Sequence, residues 1–247
     1  MKSIINKILL PFNAEIHGKG YLQQLANNNF KKDPFIFQHN FFLKKKVNQI
    51  FDIGANTGIT VERYHQVFPN AKIHAFEPFP ASYEVLNKKY QGISSIVLNQ
   101  LGVFKNKGSL DFFVNQNVDT NSLFQPIKSG LSSDNQTINI DKIFIDTISI
   151  DEYCNSNEIK KIEILKMDIQ GGELDALIGA FNLIKNKSID LIYCEAFFIR
   201  QYLNQPLFYD IATYLDSNGY SLQDIYSPFY GNGSLAWCDA IFLPRLK

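Results

Sequence analysis

Four short segments hold residues whose types and spacing suit binding and chemistry at one cleft. The first is Phe51-Asp52-Ile53-Gly54-Ala55-Asn56-Thr57-Gly58. Gly54 and Gly58 permit a tight turn and a close approach of backbone to a ligand. The segment lacks the third glycine of GxGxxG, and an acid two positions before the first glycine would repel a pyrophosphate. Asp52 suits a ligand with a cationic end, met directly or through water. The second segment is Ala75-Phe76-Glu77-Pro78. Glu77 follows the first glycine by about 20 positions, the place of an acid that accepts hydrogen bonds from ribose hydroxyls. The third, Asn99-Gln100-Leu101-Gly102, offers weaker polar flanks for a purine. The fourth is Lys166-Met167-Asp168-Ile169-Gln170-Gly171-Gly172-Glu173. Its Asp168 stands where a reacting group would lie. Gly171 and Gly172 let the turn run close to bound ligand, and Glu173 opens the next helix at the end that favours acids. Glu195 ends a neighbouring strand, so Asp168 and Glu195 meet from adjacent strand ends. Two carboxylates there can bind a hydroxyl, act as general base or hold a divalent cation.

These segments need elements to hold them at one place. Apolar runs at Val47 to Ile53, Lys72 to Phe76, Ser95 to Leu101, Ile162 to Met167 and Ile189 to Cys194 read as strands. Between them, apolar residues recur at helical spacing: Val61, Tyr64 and Phe68; Tyr83, Leu86 and Tyr90; Leu174 to Ile184; Leu207 to Leu215. Leu110 to Val114 and Ile143 to Ile150 are further strand material around a polar loop, 115–141. Strands alternating with helices imply a mainly parallel sheet with helices on both faces, and ligands then sit beyond the carboxyl ends of the strands. The last two strands, Ser221 to Ile225 and Cys238 to Leu243, have no helix between them. They are expected to pair as an antiparallel hairpin around a loop rich in Gly, Ser and Pro. Residues 1–45 read as a polar, helix-leaning extension, with 46–247 as the catalytic domain. Asn27 to Asn29 and Lys31-Lys32-Asp33-Pro34 look like loop or linker.

The 247 residues suffice for one α/β domain. Lys plus Arg and Asp plus Glu number 24 each, a balance that argues against a nucleic-acid binder. A small molecule or glycan is the expected partner. Cys154, Cys194 and Cys238 are far apart with no CxxC, which excludes a disulfide framework and a structural zinc site and suits a cytoplasmic location. No apolar run reaches a membrane span, and Asn6 and Lys7 interrupt any signal peptide. The stripe of Ile4, Ile5, Ile8 and Leu9 reads as a packing helix rather than a peripheral membrane contact. His65 and His74 read as structural. His39 is the one candidate for a histidine base, and no histidines stand at metal-binding spacing, so no metal is assigned. Oligomeric state is left open.

S-adenosylmethionine carries an ammonium, a sulfonium and a ribose, and so answers both Asp52 and Glu77. A doubly wound sheet ending in a hairpin resembles the Rossmann-like class I methyltransferase fold. The motifs resemble those of the FkbM methyltransferase family over roughly residue 47 to the end. FDIGANTG (51–58) is similar to its cofactor loop, AFEPFP (75–80) to its ribose turn, and Leu101-Gly102 to its third segment. KMDIQGGE (166–173) resembles its most distinctive motif, usually KIDVEGAE. Asn121-Ser122-Leu123 resembles a further short stretch. The resemblance implies O-methylation of sugars, polyketides or related products. It places Asp52, Gly54 to Gly58, Glu77, Pro78, Leu101, Gly102 and Asp168 around the donor. Asn121, Ser122 and Gln170 fall on the acceptor side, with Asp168, Glu195 and Glu173 sharing the acid-base work. Gln170 stands where the family often has Glu, which removes a cleft carboxylate and weakens a metal role. Gly172 stands where Ala is usual. Tyr226, Phe229, Tyr230 and Trp237 are further candidates for the acceptor side. Two rival readings are a nicotinamide-dependent oxidoreductase or epimerase, which predicts a third loop glycine and a Tyr/Lys pair, and a non-catalytic nucleoside-binding module.

Overall fold

The computed structural model describes residues 33–127 and 138–245. Chain order is helix α1 (Pro34–Phe41), strand β1 (Gln49–Ile53), α2 (Ile59–Val67), β2 (Lys72–Phe76), α3 (Pro80–Tyr90), β3 (Ile96–Asn99), β4 (Gly102–Val103) and β5 (Gly108–Asn115). It continues with β6 (Asn139–Ile148), α4 (Ile150–Ser156), β7 (Ile162–Met167), α5 (Glu173–Ile178), α6 (Phe181–Lys185) and β8 (Ile189–Phe197). The chain closes with α7 (Phe208–Ser217), β9 (Tyr220–Gly231) and β10 (Ser234–Pro244).

Seven strands form one sheet in the order β3-β2-β1-β7-β8-β10-β9. β1, β2, β3, β7 and β8 are parallel, and β10 runs antiparallel to both β8 and β9. This is the mainly parallel, seven-stranded sheet with a terminal hairpin that the alternation of runs implied. Successive side chains of a strand point to opposite faces. Ile50 and Ile164 therefore enter one core with Val61, Tyr64 and Leu86, while Phe51, Ile53, Leu165 and Met167 enter the other with Leu177, Ile184 and Ile211. Every residue of β7 is buried, and its two charged residues have partners there: Glu163 accepts from Gln49 N and Lys166 pairs with Asp52.

Four expectations are corrected. Leu174 to Ile184 reads as one helix but folds as two, α5 and α6. Asp151 causes the break from a distance: its carboxylate accepts from Asn182 N (2.8 Å) and Leu183 N (3.2 Å), while its own N–H donates to the Gly179 carbonyl (2.9 Å). Ser95 to Leu101 is not one strand. β3 stops at Asn99, and β4 joins β6 and β5 in a separate three-stranded sheet. The hairpin loop expected between Ile225 and Cys238 is itself ladder, closed by a two-residue turn at Asn232-Gly233 with φ of +52° and +78°. Both positive angles are those of a type I′ turn, whose twist matches the strands.

The Lys31 to Pro34 stretch ends in a helix start rather than a linker. Asp33 accepts from Phe35 N (2.8 Å) and caps α1, and Pro34 takes the first helical position, where its missing N–H is harmless. Phe35 and Phe42 are buried against the sheet, and Tyr64 donates its hydroxyl to Gln38 Oε1 (3.0 Å). The folded unit thus includes residues 34–42. The apolar stripe from Ile4 to Leu9, His17 and Asn27 to Asn29 lie outside the described residues, as does part of the 115–141 loop.

Candidate active site

The carboxyl ends of β1, β2, β7 and β8, roofed on one side by the small sheet, enclose a cavity of about 440 Å³. That volume suits a nucleoside-sized ligand with room for part of a second. Its walls include Gly54 to Thr57, Glu77, Pro78, Leu101, Gly102, Asn121, Asp168, Gln170 and Glu195, brought together from five loops. Gly58, Asp52, Ser122 and Glu173 stand behind this wall.

At one end, Glu77 is buried and ties two loops together. Its carboxylate accepts from Asn56 N (2.8 Å) and from Phe79 N (2.8 Å). Burial pushes its pKa up to about 7, and those two N–H groups only partly offset that. Asn56 adopts the left-handed conformation (φ +46°), an uncommon state for a side-chain-bearing residue, and its Nδ2 donates to Asp119 Oδ1 (2.7 Å). The two glycines are also required by the protein around them. A Cβ on Gly54 would lie 1.9 Å from the Asp168 carbonyl, and one on Gly58 would lie 2.4 Å from the Tyr90 ring. Both glycines let the loop pass close to neighbouring protein, and Gly54 also lines the cavity. Gly171 and Gly172 behave likewise, meeting Gln205 and Ile169.

Asp52 points away from the cavity wall. It forms a buried ion pair with Lys166 (2.9 Å), whose ammonium also donates to the Gly54 carbonyl (3.0 Å). Burial raises the Asp52 pKa against the pull of Lys166. For Lys166, burial pulls downward, but Asp52 and Asp168 outweigh it and hold the ammonium above the ordinary lysine value. Asp52 thus stands behind the cavity wall, paired with Lys166, which lines it.

At the other end, Gln170 joins the two acids. Its Nε2 donates to Asp168 Oδ1 (3.1 Å) and to Glu195 Oε2 (2.7 Å). Gln170 is itself left-handed (φ +54°) and is gripped from behind. Ser122 Oγ donates to its carbonyl (2.7 Å), and the buried Tyr202 hydroxyl sits 3.0 Å from its Oε1 and 2.8 Å from the Thr120 carbonyl. Burial, with Asp168 and Glu173 nearby, pushes Glu195 well above the ordinary carboxylate range. Asp239, the cross-strand partner of Glu195, rises to about 6 through burial although Tyr193 donates to it. Glu173 does not reach the cavity. Its carboxylate accepts from Ile169 N (2.9 Å) and Gly171 N (3.0 Å) and so braces the loop that presents Gln170. Ser122 is likewise a support of that loop rather than a wall residue.

Asn56 Oδ1 and Asn121 Nδ2 are shielded from solvent and lack protein partners. A shielded polar atom beside a cavity is met by a ligand or by ordered water. Asn56 Oδ1, on the residue whose N–H binds Glu77, fits a donor group of S-adenosylmethionine, and Asn121 Nδ2 offers a hydrogen to a ligand oxygen. The family model for the methyltransferase FkbM domain matches residues 52–222. The chain belongs to this family. An FkbM domain is a methyltransferase domain of the S-adenosylmethionine-dependent kind.

Two relatives illustrate the range of the family. The 2-O-methyltransferase NoeI of Sinorhizobium fredii is 29% identical over 145 residues, covering 56% of this chain and 59% of NoeI. The hexuronic acid methyltransferase AglP of Haloferax volcanii is 23% identical over 150 residues, covering 60% of this chain and 56% of AglP. The chain thus matches under two thirds of either relative's length. A solved TehB-like S-adenosylmethionine-dependent methyltransferase from Corynebacterium glutamicum is a loose likeness at a TM-score of 0.42 and 11% identity, over 92% of this chain and 97% of that one.

Three residues of this FkbM domain escaped sequence reasoning. Lys166 was visible as a lysine within an apolar strand, where a charge needs a buried partner. Asp119 and Tyr202 gave no local signal, because both reach the site from loops. His39 stays in α1 beside the Phe68 ring, away from the cavity wall. Among the described residues, no group of three His, Cys, Asp or Glu side chains is arranged to hold a metal ion.

Proposed function

We propose that the protein moves a methyl group from S-adenosylmethionine to a hydroxyl of a carbohydrate or related natural-product acceptor. The observation that carries this reading is one cavity with a ribose-type acid at one end and an amide-bridged acid pair at the other. When bound, S-adenosylmethionine supplies an electrophilic methyl on sulfur. Glu77 accepts hydrogen bonds from the ribose hydroxyls. Leu101, Gly102, Val103 and Ile145 flank the purine and exclude water. Asp168 holds the acceptor hydroxyl and takes its proton at a carboxylate oxygen. Glu195, bridged to Asp168 through the Gln170 amide, orients the acceptor beside it. Most of the acceleration in such a displacement comes from alignment, to which the Gln170 bridge contributes by fixing both acids.

The sugar-like acceptor is supported by the hairpin. Phe229 stacks on Trp237 at 3.9 Å, and Trp237 is the cross-strand partner of Phe197, two positions beyond Glu195 on the same face. Phe229 is exposed there, an apolar ledge suited to the C–H face of a sugar ring. The three cysteines are buried and unpaired, which supports a cytoplasmic setting. No described helix is long and apolar enough to cross a membrane.

Calorimetric titration tests the reading. Purified protein and a Glu77→Ala variant are titrated with S-adenosylmethionine, S-adenosylhomocysteine and NAD(H). Binding of the first two, lost in the variant, is expected. Binding of NAD(H) alone would move the protein to the oxidoreductase class.

A further inference from the structure

We infer that the acceptor of this site is a polyol with no anionic group close to the hydroxyl that is methylated. This rests on the methyl-transfer reading above and specifies its substrate class. Among the described wall residues the charged side chains are Glu77, Asp119, Asp168, Glu195 and Lys166. The single ammonium is committed, to Asp52 at 2.9 Å and to the Gly54 carbonyl at 3.0 Å. The Gln170 amide directs its N–H groups at Asp168 and Glu195, so it offers none to an incoming anion. Arg200, on the segment between β8 and α7, donates Nε to the Gln205 carbonyl (3.0 Å) and does not line the cavity.

The second layer supplies no cation either. Asp239 faces Glu195 across the β8–β10 ladder, and Glu173 lies buried beneath the Gln170 loop. A carboxylate or phosphate at the acceptor position would leave water without gaining a cation and would sit beside Asp168, an arrangement that is strongly unfavourable. A neutral hydroxyl has what it needs. It donates to Asp168, and the unpartnered Asn121 Nδ2 can donate to a neighbouring acceptor oxygen. An amine would be tolerated for the same electrostatic reason. AglP is named for action on a hexuronic acid, so the inference separates this chain from that relative at the acceptor.

The test uses the full chain saturated with S-adenosylhomocysteine, with cofactor binding first established by calorimetry. Three matched sets of methyl glycosides are titrated and followed by saturation-transfer NMR: glucose, galactose and mannose, each as the neutral sugar, the amino sugar and the uronate. In the set that binds best, the neutral or amino form is expected to bind roughly tenfold or more tightly than the uronate, the effect of one repelling charge at close range. The Asp168→Asn variant is expected to narrow that gap to about threefold or less. Uronates that bind as well as the neutral sugars, or no glycoside binding in any set, would overturn the inference. Loss of S-adenosylhomocysteine binding itself would strike at the methyl-transfer reading, so the two failures are distinguishable.

Discussion

Replacing Lys166 by methionine tests how the donor loop is held. The substitution keeps most of the side-chain volume and removes only the ammonium. It leaves Asp52 fully buried, at 0% exposure, without its partner. It also leaves the Gly54 carbonyl without its donor. Breaking a buried ion pair from one side costs about 3–5 kcal/mol, because an uncompensated charge remains. In a protein of this size each kcal/mol is worth about 2–4 °C, so a fall in Tm of roughly 6–20 °C is expected. The double variant Asp52→Asn/Lys166→Met removes the stranded charge and should recover at least about 2 kcal/mol of the loss, a coupling of the size seen between residues in direct contact. Chemical denaturation of wild type, both single variants and the double variant provides the cycle. A Lys166→Met cost below about 1 kcal/mol, or strict additivity in the cycle, would refute the view that this pair supports the loop.

Other outcomes follow from the same geometry. Glu77 has a pKa of about 7 in the free protein and binds ribose as the carboxylate, so donor affinity should rise as pH climbs from 6 to 8, with proton release on binding; a flat profile, or the same slope in Glu77→Gln, would contradict this. Because the folded state holds protons on Glu77 and Glu173 up to about 7, against an ordinary value of 4.5, their contribution to stability is greatest in acid and is lost as pH rises through that window; denaturation midpoints at pH 5 and pH 8 check the sign. Tyr202→Phe should cost about 1–2 kcal/mol of stability and lower turnover with donor affinity unchanged, because it removes the hydroxyl's contacts with Gln170 and the Thr120 carbonyl; an unchanged rate speaks against that role. Gly54→Ala should unfold the donor loop, whereas Gly92→Ala, at φ +85° but with open space around its Cβ, should cost only about 1 kcal/mol; similar losses at both sites would mean that contact with Asp168 is not the constraint.

The sequence made the buried strands easiest to see. β2 and β7 fall on the residues expected, because apolar side chains prevail in a strand covered on both faces. Elements shaped by distant partners were harder. The α5–α6 break depends on Asp151, far away along the chain, and no local pattern carries that. The hairpin was misjudged because Ser, Pro and Gly between residues 226 and 237 looked like loop, although Asn232-Gly233 is itself a hairpin signal. At the site, the acids and glycines were legible because they sit at strand ends. Their partners were not. That Asp52 would be matched by Lys166, or that Gln170 would be held by Ser122 and Tyr202, follows only from strand order and from the meeting of two loops.

Those meetings bear on how such a domain diversifies. The small sheet and its loop touch the large sheet's loops through side chains at Asp119 with Asn56, Ser122 with Gln170, and Thr120 with Tyr202, and through the backbone at Ile127 with Gln201 and Leu203 with Gln125. The region from β4 to β6 is therefore not a detachable roof. A new roof, transplanted to redirect the enzyme to another acceptor, would have to bring equivalents of Asp119 and Ser122 or be matched by changes at Asn56 and Gln170. Recombination between relatives is then most productive when the 102–148 insertion and the 198–205 segment are inherited together.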